Sequence, residues 1–378
     1  MERCVPPNRL NRLLFALVLA ACTVRLQSAP PPVLDESWKA YGRHFVRPDG
    51  RVVDHKGGGI STSEGQAYAM LRAAWMQDRE VFDKTYTWGR NNLNARVRSD
   101  RLWAWKWGQA PSGRWEVLDR AFASDADEDV ALALLMAHRI WGDNRYLADA
   151  RATLADLWRL GTIEVRGTRY LLAGDTLCDG ALCRLNPSYA APYAYRVFAR
   201  VDPQRNWRAL VDSSYALLER ASQLTTTRLP ADWIVLETGS GALRASSEKD
   251  SSFSYDAFRV FWRVAMDREL FDEPRADRYL KTALPWLTAR WKSEGSLPAV
   301  IGPSGKPLAD HESLEMLSAL MVAWHPYEPE IARAAQRRVQ GTYKSGIWGD
   351  ADSYYIQNWA WFGTALYDGY LGPLTLLK

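Results

Sequence analysis

Apolar residues recur at three- and four-residue intervals along most of the chain, and few stretches show the period of two that marks a half-buried strand. With the usual start and stop signals, this pattern predicts helices over 34–46, 63–78, 80–93, 124–139, 145–160, 188–200, 205–222, 254–267, 275–290, 311–324, 327–339 and 354–370. The links between them alternate in length. Trp141-Gly142-Asp143-Asn144 is tight, whereas 94–123, 161–187, 223–253 and 291–310 are long and rich in Gly, Pro, Trp and Asp. Such alternation predicts helical hairpins whose long loops gather at one end. Twelve helices joined this way fit an all-α fold, an (α/α)6 barrel, with the functional surface built by the long loops on a rigid scaffold. An open α-solenoid would need a repeat of roughly 34–47 residues, and the sequence has no such self-similarity. Residues 161–172 add a small hairpin, and 33–378 are expected to form a single domain.

Composition narrows the chemistry. With 47% hydrophobic and 24% charged residues, the chain has ample material for a large core. Tryptophan (18) outnumbers phenylalanine (10), with 17 tyrosines, so rings carrying a polar handle dominate. Such rings suit carbohydrate, whose C–H faces stack while its hydroxyls hydrogen-bond; filling a core is the alternative use.

The first 29 residues hold Arg3, Arg9 and Arg12, then the apolar run Leu13 to Ala21, then small and polar residues leading to Pro30-Pro31-Pro32. This is the plan of a secretory signal, and the run is too short to span a bilayer. Export to the periplasm or the medium is expected. Leu19-Ala20-Ala21-Cys22 also has the form of a bacterial lipoprotein box, which offers lipidation at Cys22 as a variant of that expectation. Removing the leader lowers the formal charge from +4 to about +1, so nothing argues for nucleic acid as a partner. Cys4 and Cys22 fall in the leader region. Cys178 and Cys183, close together in DTLCDGALC, are candidates for a short-loop disulfide in an oxidising compartment. A metal site is not expected, because two cysteines and five scattered histidines lack ligand spacing.

Carboxylates cluster where long loops meet helix starts. Ser61 and Glu64 have the S-x-x-E spacing of a capping box, but Gly65 follows, a residue used where something must approach the backbone closely. Asp125, Asp127, Glu128 and Asp129 crowd another helix start, for which Ser124 is a natural cap. Asp256 and Arg259 lie one turn apart in Ser254-Tyr255-Asp256-Ala257-Phe258-Arg259 and can pair on a helix surface. Each cluster alone reads as capping; three at one rim form a more specific pattern. Trp103, Trp105 and Trp107 alternate in Leu102-Trp103-Ala104-Trp105-Lys106-Trp107-Gly108, which would align three rings on one face of an extended segment.

Glycoside hydrolysis needs a carboxylic acid to protonate the leaving oxygen and a carboxylate to activate water or attack the sugar, with no metal or histidine required. A cap carboxylate is held ionised, whereas a general acid needs its pKa raised by burial or a like charge. If Glu64 is the acid, Asp125 or an apolar wall must outweigh the helix terminus. The Gly302-Pro303-Ser304-Gly305-Lys306 stretch lacks the glycine spacing of a phosphate loop, and there is no G-x-S-x-G elbow.

Taken in order, SEGQAYAM around Glu64, LWAWKWG, ASDADEDVALAL around Asp125, NPSYAAPYAYRVF, SYDAFR around Asp256 and YYIQNWAWFG resemble glycoside hydrolase family 8 through nearly all of the chain beyond the leader. The resemblance implies an (α/α)6 barrel that cuts β-1,4-glucan internally with inversion, in the branch tied to bacterial cellulose synthesis. It implies Glu64 as general acid, Asp256 as the base activating water, and Tyr255 and Arg259 as supports for that base and water. Asp125 would contact the distorted sugar, or stand where older assignments set a nucleophile. Trp103, Trp105, Trp107, Asn186 and Tyr189 would bind substrate. No cofactor is implied, the protein would act as a monomer on a β-1,4-glucan chain, and the cellulose synthase export complex is the expected macromolecular partner. Xylan and chitosan are the alternative substrates within the family. Outside it, the alternatives are a non-catalytic glycan-binding protein and a lyase, whose acidic substrates an acidic cleft would repel.

Overall fold

The computed structural model describes residues 29–247 and 249–378; the expected leader, with Cys22, lies outside the described residues except for its last position. All twelve expected helices form: α1 Pro32–Phe45, α2 Ser63–Trp75, α3 Arg79–Gly89, α4 Ser124–Trp141, α5 Asn144–Leu160, α6 Pro192–Val201, α7 Trp207–Ser222, α8 Arg259–Phe271, α9 Pro274–Glu294, α10 Leu314–Trp324, α11 Pro329–Gly341 and α12 Tyr354–Tyr367.

Their packing follows from which helices can bear water. Helices α2, α4, α8, α10 and α12 are buried over most of their circumference, whereas α3, α5, α7, α9 and α11 bury one stripe. A helix apolar all round belongs inside, and one with a single apolar stripe belongs outside. Accordingly α2, α4, α6, α8, α10 and α12 contact one another in sequence, and α12 returns to α2 to close an inner ring. Helices α3, α5, α7, α9 and α11 each pack on the inner helix preceding them, and α1 packs on α12. The result is the (α/α)6 barrel. Small residues let the inner helices approach closely: a Cβ on Gly363 of α12 would collide with the Ser318 carbonyl of α10.

Short links carry the chain from inner to outer helix and long ones bring it back, so all six inner helices start at the same rim. Small sheets decorate that chain. Strand β1 (Ser61–Thr62) pairs with β2 (Ala104–Gln109), which pairs with β3 (Trp115–Phe122). The expected hairpin is β4 (Thr162–Val165) with β5 (Thr168–Leu171), turned through Arg166 and Gly167, both at positive φ, as a two-residue hairpin requires. Strands β6 (Leu182–Leu185), β7 (Ile234–Glu237) and β8 (Leu243–Ala245) form a third sheet, and β9 (Tyr343–Lys344) pairs with β10 (Ile347–Trp348).

One boundary differs in a way that matters. The expected helix over 254–267 starts at Arg259, because residues 255–258 form a turn instead.

Candidate active site

Glu64 sits at the start of α2, yet it does not cap it. Thr62 is the N-cap, its Oγ1 accepting from the Gly65 N–H at 3.0 Å. Ser61, expected to form the capping box, is turned inward: its Oγ donates to the Val52 carbonyl (2.6 Å) and accepts from Arg51 Nε (2.9 Å). The Glu64 carboxylate is thereby free for other partners. Its Oε1 accepts from the Tyr354 hydroxyl at 2.8 Å and its Oε2 from Arg259 Nη1 at 3.0 Å. Gly65 explains itself here, since a Cβ would come 3.2 Å from both Thr62 Oγ1 and the Tyr354 ring. A side chain at 65 would crowd the tyrosine away from Glu64.

Arg259, 1% exposed, is the centre of the site. Its Nη1 donates to Glu64 Oε2 and to Asp125 Oδ2, each at 3.0 Å, its Nη2 pairs with Asp256 Oδ1, and its Nε donates to Ser188 Oγ at 3.1 Å. One planar fork thus gathers three carboxylates from α2, α4 and the turn before α8. Their side chains differ in access to water: Asp125 is 3% exposed, Glu64 22% and Asp256 32%. Burial pushes the Glu64 carboxyl up to about 7; the Arg259 charge opposes this, Asp125 adds to it, and the Tyr354 hydrogen bond opposes it. The apolar wall does outweigh the favourable contacts. Asp125 is also raised by burial, with Arg259 and then Arg263 opposing.

Only one member of the 125–129 cluster reaches this centre. Asp127 accepts from the Trp103 N–H (2.9 Å) and Glu128 from the Tyr195 hydroxyl (2.6 Å), while Asp129 lies 3.5 Å from Arg263. These three hold the fold. Ser124, expected as the cap, is the first residue of α4; the N-cap is Ala123, with no side-chain bond.

The tryptophan ladder does not form. Trp103 precedes β2 and is core, 3% exposed and stacked on Tyr86. Register shifts between Ala104 and Lys106, and between Lys106 and Trp107, break the alternation beyond it, as a bulge does. Trp107 packs on Trp88 and Trp115, with the Arg51 guanidinium 4.5 Å from its ring. Trp105 is half-buried, with Lys106 Nζ 5.4 Å from its ring, and Trp115, which sequence reasoning passed over, is 47% exposed.

Two supporting expectations also move. The Tyr255 hydroxyl lies 3.1 Å from His311 Nε2, so its phenol is bonded on the rim and not at Asp256. Asn186 is buried and shapes a turn, its Oδ1 accepting from Ser188 N (3.0 Å) and Ser188 Oγ (2.7 Å). Tyr189 stands where those roles were expected: the Arg259 guanidinium is 5.2 Å from its ring, and burial together with Asp125, Asp256 and Glu64 drives its hydroxyl pKa upward. Tyr354, Ser188 and Asp232 were missed. Tyr354 opens the aromatic run YYIQNWAWFG, and no local signal distinguishes it from the rings around it. Cys178 and Cys183 are joined as a disulfide beside β6.

The profile of glycosyl hydrolases family 8 matches residues 8–290. An endoglucanase of Escherichia coli K12 is 33% identical over 275 residues, spanning 72% of this chain and 71% of that protein. The crystal structure of an endo-1,4-D-glucanase from Vibrio fischeri superposes with a TM-score of 0.75 at 27% identity, covering 88% of this chain and 94% of the other. That of an endo-β-1,4-glucanase from Acetobacter xylinum gives 0.72 at 26%, covering 90% and 99%. A barrel whose inner-helix rim gathers an acid-range glutamate and two aspartates on one arginine, in a chain matched through three quarters of its length, belongs to glycosyl hydrolases family 8 and is a glycoside hydrolase.

Proposed function

We propose that the protein is an exported endo-β-1,4-glucanase that hydrolyses its substrate with inversion, Glu64 acting as general acid and Asp256 as general base. The observation that carries this reading is the graded access of the three carboxylates on Arg259. A base must meet water, and Asp256 is the most exposed of them. Asp125 is closed off, with Oδ1 accepting from the Ala126 N–H and Oδ2 held by Arg259. It is therefore read as orienting Arg259 and strengthening the hold of Glu64 on its proton, beside the sugar contact that the resemblance implies.

In the reaction, protonated Glu64 gives its proton to the glycosidic oxygen as the C1–O bond breaks. Asp256 takes a proton from a water that attacks C1 on the opposite face, leaving Glu64 ionised and Asp256 protonated until solvent resets both. Arg259 pairs with both carboxylates, through Nη1 to Glu64 and Nη2 to Asp256. An inverting pair needs room between its carboxyls for a water; Glu64 and Asp256 sit on different nitrogens of Arg259.

The exported location rests on the leader and on the Cys178–Cys183 disulfide, and the link to cellulose synthesis and its export complex on the family resemblance. Glucan as substrate is supported by the names of the similar enzymes. Incubating the purified protein with carboxymethyl cellulose, xylan and chitosan tests the substrate class. The expected result is reducing-end release with a steep fall in viscosity on cellulose alone, and an Asp256→Asn rate lower by about 10²–10⁴. Faster cutting of xylan or chitosan would move the substrate class, and full activity of Asp256→Asn would remove it as the base.

A further inference from the structure

The turn that carries Asp256 has local bonds, Phe258 N–H to the Ser254 carbonyl (3.3 Å) and Arg259 N–H to the Asp256 carbonyl (3.1 Å), but its first backbone N–H groups are held from a distant segment. Asp232, 24 residues earlier, reaches across to it. Its Oδ1 accepts from the backbone N–H of Ser254 (3.1 Å), Asp256 (3.2 Å) and Ala257 (2.7 Å), and its Oδ2 from the Ser254 hydroxyl. The backbone N–H of Asp232 in turn donates to the Ser252 carbonyl at 2.8 Å, and Phe253 bonds Ile301 in both directions. Asp232 is 7% exposed. A buried carboxylate with three backbone donors and a hydroxyl on it is a capping group delivered from a distant segment.

The place it comes from adds to its reach. Strands β6 and β7 pair up to Leu185 and Ile234. At that end of the sheet β6 leads into Ser188, whose Oγ accepts from Arg259 Nε, while Asp232 leads into β7. One sheet end therefore orients both the arginine and the turn bearing the carboxylate it pairs with.

We propose that Asp232 is a positioning residue for hydrolysis: it fixes the backbone of residues 254–257 so that the Asp256 carboxylate meets Arg259 and the attacking water in register. This rests on Asp256 being the base. Asp232 does not touch the reacting atoms, and its effect is carried by geometry.

The test measures kcat and KM on neutral cellohexaose for the purified protein and for Asp232→Ala, Asp232→Asn and Asp256→Asn, each with its melting temperature. Misplacing a reacting group by about 1 Å costs about 10²-fold in rate, so Asp232→Ala is expected to lose about 100-fold in kcat with KM within about twofold. Asp232→Asn keeps an acceptor oxygen for the three N–H groups and is expected to recover kcat to within about tenfold of the parent. Rates are taken on the folded fraction at a temperature well below melting. A kcat for Asp232→Ala equal to the parent, a matching rise in KM, or no recovery in a folded Asp232→Asn overturns the inference. Asp256→Asn separates the two layers. If it remains active, the base assignment falls whatever Asp232 does; if it is inactive while both Asp232 variants match the parent, only the positioning role falls.

Discussion

Glu64→Gln is expected to lower hydrolysis of carboxymethyl cellulose by about 10²–10⁴-fold, the range for removing a general acid, while leaving the protein as stable as the parent or more so above neutral pH. The second half follows from burial. In the folded protein the Glu64 carboxyl is pushed up to about 7 from an ordinary 4.5, so the folded state binds its proton more tightly than the unfolded chain. Its contribution to stability is present below the unfolded value and is lost as pH rises through the folded one. The loss is roughly 1–3 kcal/mol by pH 8, taking 1.36 kcal/mol per pH unit as the upper rate. Glutamine has no proton to lose and avoids that cost, so the melting temperatures of parent and variant should diverge in favour of the variant between pH 5 and 8. The same titration gives the parent a falling limb in kcat/KM near pH 7, because the acid must be protonated to act. A capping glutamate predicts the opposite pairing, lower stability with activity kept.

Arg259→Met is expected to be the most damaging single change at the site. The guanidinium is the shared cation of Glu64, Asp125 and Asp256; without it, three carboxylates, one of them buried, are left around the place of the lost cation. Removing one partner of a buried ion pair costs about 3–5 kcal/mol, and here the deficit depends on pH. The folded-state pKa values of Glu64 and Asp125, already raised by burial, rise further once their cation is gone. The variant should regain stability as pH falls and the carboxyls protonate. Thermal melts at pH 8 and pH 5 are expected to show a large gap from the parent at the first and a smaller one at the second, with no hydrolysis at either. A pH-independent gap would mean that packing, not charge, is what Arg259 supplies.

The helices were legible because a 3.6-residue apolar period is a local property, and the alternation of link lengths implied the barrel. The site was legible in its carboxylates and less so in what holds them. Thr62 and Ser61 are both good caps; which one serves depends on Arg51 and Val52, which claim Ser61. The Trp103–Trp107 alternation assumed a regular strand, and a bulge moved the register. Residues 254–258 read as helix because part of what holds them as a turn comes from Asp232, outside the segment. Tyr354 lies 290 residues from Glu64, a distance across which periodicity carries no information. What stayed hidden is what tertiary contacts decide.

The measurement that most directly tests the assignment of Glu64 and Asp256 is the configuration of the first product, followed by proton NMR during rapid cleavage of cellohexaose before mutarotation mixes the anomers. A water activated by Asp256 and attacking opposite the leaving oxygen produces the α-anomer at the new reducing end. Initial release of the β-anomer would contradict the account, since it requires a covalent intermediate and a nucleophile close to Glu64, a part that Asp125, on the same Arg259 nitrogen, would then have to play.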